Sequence, residues 1–347
     1  MVPARDEAET LPSLVDSLDR LLRPDGWGDD AVETLVLLNN CRDGSGGLLR
    51  ALAASRPWLR VAEVHLGAGE AHVGRARSAL FDAAAARLHA VGRPDGLILT
   101  TDADSRPAPD WLVTTAAEIA AGADLIGGRV GLDPVERGAL TPAVRRFYLL
   151  DLGYRRAVER LRETYAPTPF DPCPRHHQHY GASLAVRADM YLRAGGMPAV
   201  PTSEDVALVR AVEAVGGRVR HSDRVRVATS ARRVGRASGG LADAFQWWAG
   251  LASGGGVPTV ESGAEAEVRL ARLAVWRSLH PGAPDPVSLV ETPPGAAPIN
   301  RVLLDLRARA DHAAGLTEAD RLARARRLSA HRSPLDMSVF PTPARAA

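Results

Sequence analysis

Apolar positions in the first half of the chain change their period repeatedly. Leu11, Leu14, Val15, Leu18, Leu21 and Leu22 recur at helical spacing behind the acidic stretch from Asp6 to Glu9, which predicts an amphipathic helix. The run from Glu33 to Leu38, closed by Asn39, Asn40 and Gly44, reads as a short buried strand. Arg60 to Val64 and Gly96 to Thr100 repeat that pattern, and Leu125 to Val130 does so more weakly because of its two glycines. Helical patterns fill the gaps at roughly 47–56, 74–90 and 110–121. Such alternation predicts an α/β fold whose mostly parallel sheet is covered on both faces. Ligands of such sheets bind beyond the carboxyl ends of the strands, so the chemistry should follow directly after each apolar run.

Further on, Gly181 to Arg187 reads as a strand followed by a helix ending at Gly195-Gly196-Met-Pro198. A helix then starts near Ser203, and the strand after it ends at His221. Residues 165–180 form a Pro- and His-rich loop. From 241 the pattern changes to Ala/Arg/Leu helices, so the organisation predicted is an α/β domain over 1–240, a helical extension over 241–336 and a tail over 337–347. The opening Met1-Val-Pro-Ala-Arg-Asp-Glu7 has the character of a loop leaving a strand that is almost missing, which favours a start codon upstream of Met1.

Composition narrows the chemistry. With 347 residues, 46% hydrophobic and 24% charged, a sizeable core is expected. No apolar run approaches the ~18 residues of a membrane span and no signal pattern opens the chain, so a cytoplasmic protein is the expectation. Cys41 and Cys173 are too few for a disulfide framework. All 43 basic residues are arginines, an excess in keeping with a GC-rich genome. Without lysine, neither a Walker A phosphate loop nor Schiff-base catalysis can exist. The net charge of +2 gives no footprint for nucleic acid. The Arg-rich helix near 318–332 reads as a solvated amphipathic face, with peripheral membrane contact as the alternative.

Four segments could carry chemistry. Asp102-Ala-Asp104 follows the strand Gly96 to Thr100; carboxylates two residues apart at a strand end project to one side and repel unless a cation such as Mg²⁺ or Mn²⁺ lies between them. They could equally cap the helix that follows. Asn39-Asn-Cys-Arg-Asp43-Gly-Ser45 is either a bare turn or a carboxylate placed to read a nucleobase edge. Gly67 to Gly74 leads into Arg75-Ala-Arg77 at a helix start, a site that favours anions, or a plain solvated helix end. Ser203-Glu204-Asp205 makes a good helix start, with Ser203 as N-cap, and could also supply a general base.

Taken in order, these segments resemble the family 2 glycosyltransferases of GT-A fold, over about residues 1–240. Pro3-Ala-Arg5-Asp-Glu7 looks like the family's opening loop, Asn39 to Ser45 its base-reading turn, Arg75-Ala-Arg77 its arginine-bearing helix, and Asp102-Ala103-Asp104 its DxD. The segment Gly181 to Pro198 is similar to its acceptor side, and Ser203-Glu204-Asp205 to its catalytic acidic pair. The resemblance implies a soluble, non-processive enzyme. It implies that Pro3, Arg5, Glu7, Asn39, Asp43, Arg77, Asp102 and Ala103 bind a UDP- or GDP-linked sugar, with Asp43 on the base and Asp102 facing the ribose. Asp104, with Asp102, would bind the divalent metal, and Asp205, beside Glu204, would deprotonate an acceptor hydroxyl for inverting transfer.

Departures shape the expectation further. The Gln-x-x-Arg-Trp signature of processive synthases is missing; Gln246-Trp-Trp248 is at best a remnant. In its place Thr229 to Gly240 is a basic, Gly-flanked loop in which Arg232 and Arg233 could close over the diphosphate. His221 is a candidate third metal ligand by similarity to retaining GT-A enzymes, and a retaining transferase of the glucosyl-phosphoglycerate synthase type is an alternative. A non-catalytic sugar-nucleotide-binding protein is another. His176, His177 and His179 fit the lining of an acceptor pocket better than a zinc site. A haloacid-dehalogenase-type phosphatase fits poorly, since Ser105-Arg-Pro follows the second Asp and no lysine exists. A nucleotidyltransferase fits poorly too, because Pro3 to Thr10 lacks glycine.

Overall fold

The apolar runs become strands and the periodic stretches become helices. A computed structural model of the chain describes residues 1–235 and 240–330. Arg236 to Gly239 of the basic loop, the end of the Arg-rich segment and the tail expected at 337–347 lie outside the described residues. In chain order the elements are β1 (Val2–Ala4), α1 (Leu11–Asp19), β2 (Thr34–Asn39), α2 (Ser45–Ala53), β3 (Leu59–Val64), α3 (Val73–Ala90), β4 (Leu97–Thr100) and β5 (Ser105–Pro107). Then follow α4 (Trp111–Ala120), β6 (Leu125–Leu132), α5 (Pro134–Ala139), α6 (Pro142–Tyr165), β7 (Leu184–Arg187), α7 (Ala188–Arg193), α8 (Glu204–Ala214) and β8 (Val219–Thr229). The chain continues through α9 (Leu241–Ser253), β9 (Thr259–Val260), α10 (Gly263–Leu279), α11 (Val287–Val290), β10 (Ala297–Pro298), α12 (Ile299–Ala314) and α13 (Glu318–Ala330).

Contacts divide the chain into two units: Met1–Leu149 with Pro169–Val257, and Leu150–Thr168 with Pro258–Ala347. The first is the mixed α/β unit that the alternating pattern predicted. Its β1, β2 and β3 form a parallel sheet in the order β1-β2-β3. A second sheet has the order β4-β7-β6-β8-β5, with β6 and β8 parallel and the other pairs antiparallel. Met1 joins them: its amine donates to the Leu99 carbonyl at 2.7 Å and its carbonyl accepts from Thr101 N–H at 3.1 Å. The strand missing from the sequence pattern is therefore present, if short, as β1.

That join defines where a ligand can sit. From β1 the chain moves outward through β2 and β3, then returns across α3 to β4 on the other side of β1. The loops after β1 and β4 thus leave neighbouring strand ends at a topological switch point, where ligands of such sheets bind. Leu11, Leu14, Val36, Leu38, Leu49 and Ala103 pack under the parallel sheet, and Phe81, Ile98, Leu125, Leu184, Tyr191 and Leu208 under β4, β6 and β7. The glycines that weakened the pattern of Leu125 to Val130 have a steric purpose: a Cβ at Gly128 would lie 2.1 Å from Ser183 Oγ, so β6 passes a turn that leaves no room for a side chain, and its register against β8 shifts directly after Gly128.

The second unit is helical. Tyr154, Leu161, Leu270, Val302, Leu306 and Ala325 form its core. Ser262 and Glu265 close a capping box at the start of α10. Buried Glu267 is matched by Tyr165 Oη and Arg309 Nη1, each at 2.6 Å, and by Arg324 Nε at 2.9 Å, so a charge inside this core is fully paired.

Candidate active site

The loop after β1 turns sharply at Asp6, whose φ of 54° lies in the left-handed region, and delivers Glu7 into a buried position. Glu7 N–H donates to Ser45 Oγ at 3.0 Å, which fastens this loop to the start of α2. The Asp43 carboxylate accepts from Ala8 N–H and Ser45 N–H, both at 3.0 Å. Although burial pushes its pKa up, these bonds and the Ser45 hydroxyl prevail and hold it below the ordinary value. Ligand-type atoms of Asp6, Cys41 and Asp43 lie within 4.8 Å of one another. Asn39, at the end of β2, is buried, with its Oδ1 unpartnered. Pro3 is buried within β1, and exposed Arg5 donates to the Ala71 carbonyl at 3.0 Å.

The acids after β4 depart from the expected geometry. The strand stops at Thr100, so Asp102 and Asp104 lie in a turn closed by Ser105 N–H donating to the Asp102 carbonyl, and the two-residue strand period does not set their direction. Ala103 between them is buried in the core, Asp102 is partly exposed and Asp104 is largely buried. Burial, aided by the Asp102 charge and opposed by Arg232, pushes the Asp104 carboxyl up to about 6.

Two arginines answer these acids. Arg77, expected to grip phosphate, instead turns inward from α3 and is 4% exposed. Its guanidinium binds Asp102 at 2.5 Å and buried Glu204 on α8. Burial would lower the Arg77 pKa, but Asp102, Glu204 and Asp205 together raise it, so the group stays charged. Arg77 is therefore a positioning residue for the loop acids; the α3 start itself is capped by His72 Nδ1, which accepts from Arg75 N–H at 3.2 Å. Arg232 binds both Glu7 oxygens at 2.7 Å and Asp104 Oδ2 at 3.0 Å. Exposed Arg233 offers its carbonyl to Gln246 Nε2 at 2.8 Å.

The helix carrying Asp205 starts differently from the expectation. Ser203 occupies the N-cap position in a left-handed conformation (φ 62°), and its side chain makes no capping bond. Asp205 takes the polar role: Oδ2 accepts from Gly181 N–H at 2.7 Å and Oδ1 from Val206 N–H at 2.8 Å. Gly74 allows this approach, because a Cβ there would lie 1.8 Å from the Val200 carbonyl oxygen and 3.4 Å from Glu204 Cβ.

His221 does not join the acids. It lies near the start of β8 rather than at its end, opposite Gly127, whereas Thr229 at the other end lies opposite Leu132. Five residues of β6 separate those partners, about 16 Å at ~3.3 Å per residue, and Asp104 sits at the Thr229 end, its carbonyl accepting from Ser230 N–H. The His221 ring binds Asp171 Oδ2 at 2.9 Å and packs against His176 and His179. In this position His221 belongs to a polar cluster that seats the Pro/His loop on β8. His176, buried there, has its pKa lowered to about 3 by burial and by the His221 charge. No pattern in the sequence announces Asp171 as the partner of His221, or Glu136. Glu136 accepts from Ser230 Oγ at 2.8 Å and Ala231 N–H at 2.7 Å and so holds the segment carrying Arg232. Beside that segment lies a cavity of about 310 Å³ lined by Glu136, Leu140, Val144, Ser230, Arg232 and Phe245, among others.

Among solved structures, the mannosyltransferase PcManGT from Pyrobaculum calidifontis in complex with GDP-Man and Mn²⁺ is 17% identical, with a TM-score of 0.48 over 94% of this chain and 78% of that one. S. aureus TarS 1-349 in complex with UDP is 13% identical, with a TM-score of 0.46 over 97% and 93% of the two chains. No curated protein matches in sequence. None of the described helices is long and apolar enough to cross a membrane. The profile of the glycosyl transferase family 2 matches residues 1–175, which include the loops after β1, β2 and β4 and Arg77 of α3. The match spans half of the chain, and on it the protein belongs to glycosyl transferase family 2.

Proposed function

We propose that the protein transfers a sugar from a UDP- or GDP-linked donor to an acceptor hydroxyl, with inversion and with the help of Mg²⁺ or Mn²⁺. The observation that carries this reading is the gathering of Glu7, Asp102 and Asp104 at the switch point, each carboxylate held by an arginine. Three acids in one crevice call for positive charge, and Arg232 stands as a cation between Glu7 and Asp104, so these oxygens accept one. They suit a hard divalent ion. Asp104 and Asp102 would hold it, and when bound it would neutralise charge on the departing nucleoside diphosphate.

The rest is done by the chain itself. Asp43, fixed by two backbone N–H groups, offers its carboxylate edge to a nucleobase. Asp102, steadied by Arg77, faces the ribose. Asp205, anchored through Gly181, accepts the acceptor proton as that oxygen bonds to the anomeric carbon and the carbon–phosphate oxygen bond breaks. Glu204 is buried against Arg77, so it supports Asp205 by fixing the start of α8 and does not handle the proton. Arg232 and Arg233 would meet the diphosphate from the loop after β8.

A thermal-shift panel of UDP- and GDP-linked sugars with and without Mn²⁺, followed by chromatography of released nucleoside diphosphate, tests the proposal. A ligand bound only to the native state raises the melting temperature. One donor should stabilise the protein in the presence of Mn²⁺ and be turned over slowly. If no donor binds, the assignment fails; if a donor binds but nothing is released over long incubation, the protein is a binding module.

A further inference from the structure

Arg232 makes contacts that a metal-binding reading of the site leaves unexplained. Its guanidinium spans both oxygens of Glu7 at 2.7 Å and Asp104 Oδ2 at 3.0 Å. The backbone beneath it is strapped down. Ser230 N–H donates to the Asp104 carbonyl at 3.1 Å, Ser230 Oγ and Ala231 N–H both donate to Glu136 Oε2, and Arg232 N–H donates to Ser230 Oγ at 3.1 Å. The side chain is only partly buried, so it has a path to solvent.

Resting on the metal reading above, we infer that Arg232 is a tethered cation that competes with the divalent ion for Asp104. Both need the Asp104 carboxylate, and two positive groups held on one carboxylate repel each other. Metal entry therefore requires Arg232 to leave Asp104, and the arginine so released is free to bind the diphosphate arriving with the ion. The latch keeps Glu7 and Asp104 paired with a cation while no donor is bound. It makes ion and nucleotide binding mutually reinforcing, because each favours the released position of the same side chain.

The test is Mn²⁺ binding, read by electron paramagnetic resonance of the free ion, on protein without nucleotide. Removing the competitor in Arg232→Gln should tighten Mn²⁺ binding by about tenfold and shrink the further tightening caused by a nucleoside diphosphate. Arg232→Lys, which keeps the charge without the planar fork, should fall between the two. Equal or weaker Mn²⁺ binding by a folded Arg232→Gln, while the parent protein binds the ion, overturns the latch alone. Failure of the parent and both variants to bind Mn²⁺ even with nucleoside diphosphate overturns the metal reading and the latch together.

Discussion

Arg77 and Glu204, 127 residues apart in sequence, form an ion pair that is sealed from solvent on both sides. It connects α3 to α8 and, through the second arm of the guanidinium, to Asp102. The loop after β4 and the helix carrying Asp205 are thus set by a single side chain.

Breaking that pair should cost more than a surface bridge, since an uncompensated charge would remain buried. Arg77→Met is expected to destabilise the protein by about 3–5 kcal/mol in urea unfolding, and Arg77→Met with Glu204→Leu should recover part of the loss.

Asp205 offers the direct test of proton transfer. Asp205→Asn keeps the shape of the side chain but removes its basicity, so kcat should fall by about 10²–10⁴-fold while the donor still raises the melting temperature. Near-normal turnover would reduce Asp205 to an anchor for Gly181.

Gly74 links packing to the site. Its missing Cβ makes room for the Val200 backbone, which cannot yield as a side chain tip could. Gly74→Ala should cost about 1–3 kcal/mol and displace the segment leading to Glu204, lowering activity with it. Circular dichroism during urea titration, run beside the activity assay, separates the two effects.

The buried histidine predicts acid lability. His176 has a folded pKa of about 3 against an ordinary 6.5, so between those values the unfolded chain binds the extra proton and the folded one does not. The stability it contributes is complete above about 6.5 and is lost as pH falls toward 3, on the order of a few kcal/mol over the whole window. His176→Gln should flatten that limb of the stability profile; an unchanged slope would place the acid sensitivity elsewhere.

His221 supplies a control for the metal site. Its partners and its position on β8 predict that His221→Ala leaves Mn²⁺ affinity unchanged, although it should lower thermal stability by removing the ring partner of Asp171 Oδ2. A weakened affinity for the ion would return His221 to the list of ligands.

What the amino-acid order determined by itself was local. Apolar runs closed by polar turns located β2, β3 and β4 to within a residue or two, because buried strands need continuous apolar stretches and their ends need turn residues. Asp43, Asp102 and Asp104 after those runs, and Glu7 in the opening loop, were likewise visible, as was the order of segments typical of the family. Partnership was not. Arginine is ordinarily a surface residue, and nothing near Arg77 in sequence announces that it is 4% exposed. Glu7 and Arg232 are 225 residues apart, and they meet because the sheet order returns β4 beside β1 and lays the end of β8 along β5. His221 looked similar to a ligand by its place in the chain, but the register of β8 against β6 carried it to the wrong end of the strand. Charge is written in the sequence one residue at a time; which charges neutralise each other is decided by the crossovers of the sheet, and only folding fixes those.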